Sequence, residues 1–353
     1  MQTETLIIGG GLSGLSIASQ LSAEGRDYLL AEARERLGGR ILSEQVGASH
    51  FDLGPSWFWP GQPRIEALVA KLGLKSFDQF ADGALTFEDE RGQVQRGQGF
   101  ASMQGSYRLD GGLGALIDGL SATLSDKFLL RSMPISSLTK TENGIEAKTL
   151  SGQEILAKQC VLALPPRIAA GLNFEPPLPD AAQRAMTSIA TWMAGQAKAV
   201  AIYDRPFWRE AGLSGDAMSR YGPLVEVHDA SPATGGHYAL FGFIGVPPQA
   251  RQDTHRLKQE ILTQLGRLFG AVATDPVALL LKDWAFDPNT STKLDLQPVH
   301  THPQYGMPEA LSRLWDGKLV FAGTEVAPRY GGYLEGALEA AENALIQIVE
   351  EMV

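Results

Sequence analysis

The chain has 353 residues, of which 44% are hydrophobic and 20% charged, and its formal net charge at pH 7 is −10. This composition excludes a disordered chain, and the acidic balance argues against a nucleic-acid backbone as the main partner. The length suggests about two domains. The single cysteine, Cys160, excludes an internal disulfide and any metal site or cluster built from several cysteines.

The first residues have none of the features of a targeting segment. Glu4 stands where a signal peptide would carry Lys or Arg. No apolar run approaches the ~18–20 residues that a membrane-spanning helix needs. We therefore expect a cytoplasmic protein with no membrane partner.

The first predicted elements form one strand–helix–strand unit. A short apolar strand at residues 6–8 leads into a glycine turn, a helical pattern follows up to Gly25, and a second strand lies at residues 28–31. Such a unit places two parallel strands side by side in one sheet.

The glycine turn matches the dinucleotide-binding pattern G-x-G-x-x-G. Gly9 permits the tight turn, Gly11 lets a pyrophosphate approach the backbone, and Gly14 lets the helix pack closely on the strand. The pyrophosphate would lie at the helix N-terminus, where free N–H groups attract an anion. Glu32, at the end of the second strand, is placed to accept hydrogen bonds from ribose hydroxyl groups.

The middle of the chain predicts a second domain. Residues 130–163 alternate apolar runs with turns and indicate a β-meander, and the proline-rich runs at 165–166 and 175–179 indicate a crossing between domains. The acidic run at 88–90 is interpreted as a solvated turn. A strand at 318–322 and a terminal helix close the chain. We predict an α/β fold, α+β overall, with a Rossmann-like domain at 1–75, 105–165 and 295–353 and an inserted smaller domain at 76–104 and 166–294.

Further motifs narrow the cofactor. A second glycine turn, Gly38-Gly39, follows Glu32 closely and carries Arg40; a nicotinamide enzyme does not usually need this turn, whereas an FAD would run past it. The segment Asp-Leu-Gly-Pro-Ser-Trp at 52–57 and the closing motifs F-A-G-T-E and G-G-Y-L-E-G-A complete the set. On these residues the chain resembles, over nearly its whole length, the flavin-containing amine oxidase family, the monoamine oxidase-like group of FAD enzymes.

The resemblance implies FAD as cofactor, bound by a domain of the glutathione-reductase and amine-oxidase type into which the substrate domain is inserted. In the family the glycine–Thr–Glu motif meets the ribityl–pyrophosphate region, and the final helix points its N–H groups at the flavin pyrimidine ring. The residues that the resemblance implies for FAD binding are Gly9, Gly11, Leu12, Ser13, Gly14, Glu32, Ala33, Arg34, Gly39, Arg40, Gly54, Pro55, Ser56, Trp57, Ile135, Gly323, Thr324, Glu325, Gly332, Tyr333, Leu334 and Ala337.

Lys198 is the first catalytic candidate. Strand alternation places it on the same face as Val200 and Ile202, where a cation must be paired, neutralised or functional. The resemblance implies that this lysine holds a water against flavin N5. The alternative is a lysine at a strand edge whose amino group reaches solvent.

Aromatic residues supply the other catalytic candidates. The resemblance implies that Tyr333 forms one wall of the substrate site and that Trp284 lies near the flavin, although either could be a core residue. The adjacent Trp57, Phe58 and Trp59 either line the cavity or pack in the core.

The chain departs from the family in several respects, among them a substrate domain that is short for the family. Lys293 and Leu294 stand where some members have a flavin-linked cysteine and a second cage aromatic. Cys160 lies in an apolar strand and is interpreted as buried filler, so we expect non-covalent FAD. His300 and His302 have no acidic residue at ligand spacing, so no metal site is predicted; they are candidates to replace the missing aromatic at the site entrance.

The resemblance implies oxidation of a small amine to an imine, with hydride transfer to flavin N5, hydrolysis to an aldehyde or ketone, and reoxidation by O2 to give H2O2. One alternative keeps the fold but acts on a C–C bond and passes electrons to an acceptor other than oxygen. A non-catalytic alternative uses FAD as a structural element or redox sensor. The sequence leaves the amine, the natural acceptor and the oligomeric state open.

Overall fold

The computed structural model of the chain describes residues 1–297, 299 and 301–350. Pro298, His300 and residues 351–353 lie outside the described residues, and so does the role predicted for His300 at the site entrance.

The chain contains nineteen strands and eight α-helices within the described residues. The strands are β1 (Gln2–Ile8), β2 (Tyr28–Ala31), β3 (Ser43–Val46), β4 (Ser49–Asp52), β5 (Ser76–Asp78), β6 (Ala84–Glu88), β7 (Val94–Gly97), β8 (Tyr107–Leu109), β9 (Leu129–Leu130), β10 (Ile135–Thr141), β11 (Gly144–Thr149), β12 (Glu154–Leu162), β13 (Asn173–Glu175), β14 (Ala197–Tyr203), β15 (Leu213–Ser219), β16 (Leu224–Asp229), β17 (Tyr238–Ile244), β18 (Ala278–Asp283) and β19 (Leu319–Phe321). The helices are α1 (Leu12–Ala23), α2 (Pro63–Lys71), α3 (Gly114–Ala122), α4 (Pro166–Ala169), α5 (Asp180–Ser188), α6 (Phe207–Glu210), α7 (Thr254–Phe269) and α8 (Leu334–Glu350).

The first sheet contains the predicted dinucleotide-binding unit. Its strands lie in the order β13-β10-β11-β12-β1-β2-β9, with β19 paired to β12. β1 runs parallel to both β2 and β12, while β10, β11 and β12 form an antiparallel meander. The strand–helix–strand unit and the meander predicted from the sequence are both confirmed.

Alternation along β1 sends its side chains into two cores. Ile7 is buried with Leu15 of α1 and Leu338 of α8 on one face of the sheet, whereas Leu6 and Ile8 are buried on the other face. Helices on both faces of a largely parallel sheet are the α/β arrangement that the sequence predicts.

Residues 166–189, which the sequence assigns to the second domain, pack instead on the first sheet. β13 pairs with β10, and Ala182 and Met186 of α5 are buried in the same core as Leu6. The apolar sides of α4 and α5 cover this face, so the chain adds one strand and two helices to the first sheet before it reaches the second.

The second sheet has the order β18-β14-β17-β16-β15-β6-β7. On one face, Ala199 and Ala201 of β14 are buried with Leu257 and Ile261 of α7. The opposite face packs on the first domain: Val200, Ile202 and Phe241 are buried with Phe51 and Leu53.

Glu88 corrects the interpretation of the acidic run as a solvated turn. Its carboxylate, at the end of β6, is fully buried, pairs with Arg267 of α7 (2.6 Å) and accepts a hydrogen bond from Ser219 (2.7 Å). The prediction is wrong for Glu88 because a distant helix supplies the opposite charge; Glu90 is exposed, as predicted. Within the described residues no helix is long and apolar enough to cross a bilayer.

A buried glutamate joins the last helix to α2. Glu335, fully buried near the start of α8, accepts the backbone N–H groups of Arg64 and Ile65 (both 3.0 Å) and Nη1 of Arg64 (3.1 Å). α2 has no capping side chain of its own from the residue before it. Glu335 therefore satisfies N–H groups that a helix start leaves free.

Replacing Glu335 by alanine is expected to lower the free energy of unfolding by about 3 kcal/mol, because it leaves buried donors without acceptors. Urea-induced unfolding measures the loss. The matched control is Glu342→Ala, which removes the other carboxylate on Arg64 but from a side chain 56% exposed, and should change stability by less than about 1 kcal/mol. Equal losses for the two variants would contradict a capping role for Glu335.

Candidate functional site

The two predicted glycine turns meet at the end of β1. The Gly38 N–H donates to the carbonyl of Gly10 (2.7 Å), and an isolated bridge joins Gly11 to Gly38. Gly39 has a φ of 58°, which a residue with a side chain rarely adopts. The sequence indicates both turns but not their contact with each other.

The first turn has the features that the glycine pattern predicts. A Cβ atom on Gly14 would overlap the carbonyl oxygen of Gly9, so only glycine lets α1 pack this closely. A Cβ atom on Gly11 would instead find Gly39 Cα as its nearest atom, at 3.8 Å. Protein atoms therefore leave room beside Gly11, as a cofactor that approaches the backbone requires.

The start of α1 offers backbone donors to an anion. The first hydrogen bond within the helix runs from Leu15 N–H to Gly11 (2.9 Å), so the N–H groups of Leu12, Ser13 and Gly14 precede the helical ladder. No side chain of this described segment caps the helix, and its first turn holds no acidic residue. This end of the helix dipole fits a pyrophosphate.

Glu32 is buried just after β2, and its carboxylate binds the backbone of the first glycine turn. Its carboxylate accepts the N–H groups of Gly10 (2.7 Å) and Arg34 (2.8 Å). Each carboxylate oxygen can accept a second hydrogen bond, so capacity remains for ribose hydroxyl groups. The Arg34 guanidinium turns to Asp287, with which it forms a short ion pair, and to Thr290 (3.1 Å).

The two ends of the chain are tied together at the same place. Arg40 donates to the fully buried Glu325 (2.6 Å), and Ser13 Oγ donates to the carbonyl of Ala322 (2.5 Å). Residues predicted to bind FAD from the first and last motifs are thus neighbours.

Thr324 holds the turn that presents Tyr333. Its hydroxyl donates to the carbonyl of Tyr333 (2.9 Å) and accepts the N–H of Gly332 (3.0 Å). Leu334, the first residue of α8, and Ala337, one turn later, follow this turn directly. The Thr324 side chain therefore positions the helix start, a role that the motif alone does not reveal.

Lys198 is buried between the two domains. Its Nζ donates to the carbonyls of Gly54 (2.6 Å) and Asp52 (3.2 Å) and to Ser56 Oγ (2.8 Å), and lies 4.2 Å from the centre of the Phe241 ring. The side chain is on the apolar face that strand alternation predicts, but it does not reach solvent, which contradicts the strand-edge alternative.

The electrostatic setting makes the Lys198 charge labile near neutral pH. Burial lowers the pKa of Lys198 to about 7, against the opposing effect of the Asp52 carboxylate, and Arg108 lowers it further. An amino group in this state can change its charge during a reaction.

Trp284 binds the backbone of the segment at residues 52–56, which Lys198 also contacts. Its indole N–H donates to the carbonyl of Leu53 (2.9 Å), the side chain is buried, and Lys282 Nζ lies 4.5 Å from the ring centre. Trp284 therefore positions the segment at 52–56, and its contact with the flavin stays a prediction.

Tyr333 lies in a cluster of aromatic rings. The residue is 38% exposed, and its ring stacks on His302 at 5.0 Å and 15° and meets Trp59 edge-on at 6.0 Å. Trp192 and Tyr305 contact the other edges of His302, at 4.9 and 5.4 Å. His302 thus lies beside Tyr333, as the sequence suggests for a replacement aromatic. Trp192 and Tyr305 could not be predicted from the sequence, because no motif contains them.

The neighbouring aromatic residues divide between core and site. Phe58 is buried in the first core, Trp57 is buried beside Lys198, and Trp59 is half-buried against Tyr333. Gly54 and Ser56 are in the segment that Lys198 binds, together with Pro55.

The remaining candidates lie in or beside strands and in a short turn. Ile135 begins β10 with its side chain buried, and Ala33 follows Glu32. Cys160 is fully buried, and burial raises the pKa of its thiol, so it is filler, as predicted. Lys293 and Leu294 are exposed in a short turn of 3-10 helix.

Comparison with known proteins gives a consistent picture. A family model described as flavin containing amine oxidoreductase matches residues 12–101 and 98–344. A probable flavin-containing monoamine oxidase A of Dictyostelium discoideum is 23% identical, with 99% of this chain and 98% of that protein covered. An L-amino acid dehydrogenase of Synechocystis is 24% identical, with 98% and 94% covered.

Solved structures share the fold. A cofactor-binding variant of putrescine oxidase matches with a TM-score of 0.84 at 19% identity, with 99% of both chains covered. Cyclohexylamine oxidase from Brevibacterium oxydans matches with a TM-score of 0.83 at 20% identity, with 100% of both covered. The family match makes FAD the cofactor, and the open space at Gly11 and the uncapped start of α1 fit its pyrophosphate.

Gly11→Ala is expected to weaken FAD binding at least roughly tenfold, a change of about 1.4 kcal/mol, because the new methyl group enters space that only the cofactor needs. Titration of the apoprotein with FAD, followed by fluorescence, gives Kd. The melting temperature of the apoprotein should stay close to the wild-type value. Gly97→Ala is the matched control, since a Cβ atom there meets nothing within 4 Å. Wild-type affinity in Gly11→Ala would show that the cofactor does not pass this glycine.

Proposed function

The chain belongs to the flavin-containing amine oxidoreductase family, and on that premise we propose that it oxidises a small amine to an imine and delivers the electrons to O2, giving H2O2. The observation that carries the proposal is the Lys198 amino group, buried against residues 52–56 with its pKa lowered to about 7. A buried amine of this kind, in contact with the segment that resembles the family's flavin-facing stretch, is a candidate functional group on physical grounds.

The protein's own residues bind and orient the substrate. When bound, FAD accepts two electrons and the hydrogen from the carbon next to the amine nitrogen. Tyr333 and Trp59 present aromatic surfaces that hold the neutral amine with its lone pair and that C–H bond in a fixed orientation. The amine also loses its N–H proton, and water then hydrolyses the imine to an aldehyde or ketone and ammonia or a smaller amine.

Lys198 would act on the second half of the reaction. A positive charge at Nζ stabilises the negative charge that develops as O2 takes up electrons, and the dry setting strengthens this effect. The three oxygens that bind Nζ fix its position before the reaction begins.

An acceptor other than oxygen is the second candidate. It is favoured by the similarity to a relative named L-amino acid dehydrogenase, which covers 98% of this chain. The two candidates share the amine half of the reaction and differ only in what reoxidises the cofactor.

An anaerobic amine panel tests the proposal directly. We expect at least one primary or secondary amine to bleach the flavin absorbance of the purified protein, because the aromatic surface and FAD together suffice for the first half of the reaction. Admitting air should restore the absorbance with H2O2 formed in equal amount. Bleaching that air does not reverse would favour the other acceptor, and a flavin that no amine bleaches would overturn amine oxidation.

Lys198→Met is expected to slow reoxidation by O2 at least roughly tenfold. Because the pKa of Lys198 is about 7, the wild-type amino group loses its charge as pH rises through that value. The wild-type rate constant should therefore fall between pH 6 and 8, whereas the variant should be slow and independent of pH. Stopped-flow mixing of the reduced protein with O2 measures both.

The matched control is Lys258→Met, an exposed lysine of α7 on the other face of the same sheet. It should behave as the wild type does. A Lys198→Met protein that holds FAD and reoxidises at the wild-type rate would remove Lys198 from the proposal.

A further inference from the structure

The proposed reaction needs a proton acceptor for its substrate. A simple alkylamine has a pKa close to that of a lysine side chain, so at pH 7 roughly one molecule in 2,500 is neutral. Hydride transfer requires the neutral form, because the nitrogen lone pair must be free to form the imine. The protein therefore either binds only this small neutral fraction or removes a proton from the ammonium ion itself.

Among the described residues, one ionisable ring lies against Tyr333. His302 stacks on Tyr333 with 5.0 Å between the ring centres and 15° between the ring planes. Trp59, the other ring that contacts Tyr333 there, has an indole nitrogen that only donates. Because Tyr333 is the surface on which the proposed function holds the amine, His302 is placed to meet the ammonium group.

The His302 ring is held in position from several sides. The edges of Trp192 and Tyr305 contact it, with ring centres at 4.9 and 5.4 Å. A Cβ atom on Gly332, whose φ is 85°, would be 3.1 Å from His302 Nε2, so a side chain at this position would crowd the imidazole. Gly332 is also a predicted FAD contact, which places Nε2 against the turn expected to face the cofactor.

The nitrogens of His302 remain free although the ring is fixed. Across residues 1–297, 299 and 301–350, neither nitrogen makes a hydrogen bond or an ion pair, and the residue is exposed. A neutral imidazole has one N–H group and one nitrogen lone pair, and histidine exchanges a proton near neutral pH. His302 can therefore take a proton from a bound molecule and release it to water.

Two other ionisable side chains near the site are already engaged. Lys198 is buried and donates to three oxygens. His228 is buried beside Phe241, one of the rings around Lys198, with Nδ1 2.5 Å from Asp216 and Nε2 2.9 Å from Glu226. Since both side chains are buried, neither can pass a proton directly to water.

The charged and titratable groups that share a cavity with His302 keep their own protons. The cavity has a volume of about 420 Å³, and its other ionisable lining residues are Tyr305 and Arg329. Arg329 pairs with Glu339 (2.6 Å), and a guanidinium group is not deprotonated in proteins. Tyr305 donates to a backbone carbonyl (2.6 Å), and burial raises the pKa of its hydroxyl. Of these three residues, only His302 can accept a proton at neutral pH.

We propose that His302 is a catalytic base that takes a proton from the ammonium form of the substrate as it enters the site. The inference rests on the proposed function, since it assumes that an amine is oxidised beside Tyr333. One N–H bond of the ammonium ion breaks, one N–H bond forms on the imidazole, and no electrons are transferred. The exposed imidazolium then gives the proton to water, and the neutral amine remains on the aromatic surface.

The wild-type protein gives the first test. Anaerobic stopped-flow mixing with an alkylamine gives the rate constant of flavin reduction divided by Kd, between pH 7.5 and 9.5, above the Lys198 pKa of about 7. We expect this ratio to change less than about threefold, because the ammonium ion is used directly, whereas use of the neutral amine alone would raise it roughly 100-fold. Such a rise would overturn the inference but leave amine oxidation standing. A flavin that no amine bleaches would overturn the proposed function instead.

His302→Phe keeps a ring on Tyr333 but removes both nitrogens. At pH 7.5 the ratio should fall at least tenfold, and it should then rise roughly 100-fold up to pH 9.5 as the neutral amine accumulates. The control is His255→Phe, an exposed histidine of α7, which should keep the wild-type profile. A flat profile in His302→Phe would show that His302 is not the base. The wild-type profile decides the inference even if this variant does not hold FAD.

Substrate basicity separates proton transfer from a purely structural effect of the substitution. Alkylamines and less basic benzylamines that bleach the flavin are compared at pH 7.5. The advantage of the wild type over His302→Phe should shrink by up to tenfold for each unit by which the amine pKa falls, because weaker bases need less help to become neutral. An advantage that is the same for all these amines would assign His302 a structural role and contradict the inference.

Discussion

The relation between the two domains depends on three successive backbone carbonyls. Those of Asp52 and Gly54 accept from Lys198, and that of Leu53, between them, accepts from Trp284. Both donors come from the second domain, and all three carbonyls belong to the first. Because a buried carbonyl without a donor costs on the order of 1–3 kcal/mol, the segment can keep its course only while the second sheet is docked. The same contact that joins the domains therefore fixes the surface on which Lys198 works.

Buried glutamates hold the closing motifs in place, as Lys198 holds the segment at 52–54. Glu325 holds Arg40 of the second glycine turn, Glu335 holds the start of α2, and Glu339 holds Arg329 (2.6 Å). Glu325 and Glu335 join the final stretch of the chain to segments near its beginning, and Glu339 joins α8 to the turn just before it. Tyr333 lies in sequence between Glu325 and Glu335, so the stretch of chain that carries its ring is fixed on both sides by buried charge pairs.

Features that depend on residue spacing within one element could be predicted from the sequence. The spacing of Gly9, Gly11 and Gly14 predicts the turn and its close packing, and alternation along β14 predicts the side on which Lys198 lies. Where a residue's partner comes from a distant element, the same rules fail. Glu88 is predicted to lie in a solvated turn because no nearby residue indicates its pairing with Arg267. Residues 166–189 are predicted to belong to the second domain because a proline-rich run looks the same whether the chain enters a new domain or stays on the first sheet.

The candidate site divides in the same way. Lys198, Tyr333 and the glycines are recognisable because motifs contain them, whereas the stacking of His302 on Tyr333 and the contact of Trp192 with His302 depend on how loops meet. Glu226 and His228 are two residues apart, a spacing that places both on one face of a strand. Their proximity to Lys198 needs the strand order of the sheet, which the sequence alone does not specify.

The second sheet also determines where Lys198 lies relative to the neighbouring strands. Lys198 and Glu226 are on strands separated by one neighbour, so their separation is set by the hydrogen-bond ladder rather than by a loop. On the reverse face, the alanines of β14 and apolar side chains of β16 are buried in one core with α7. Changes in the surrounding loops can then alter the site, while the position of Lys198 stays a property of the sheet.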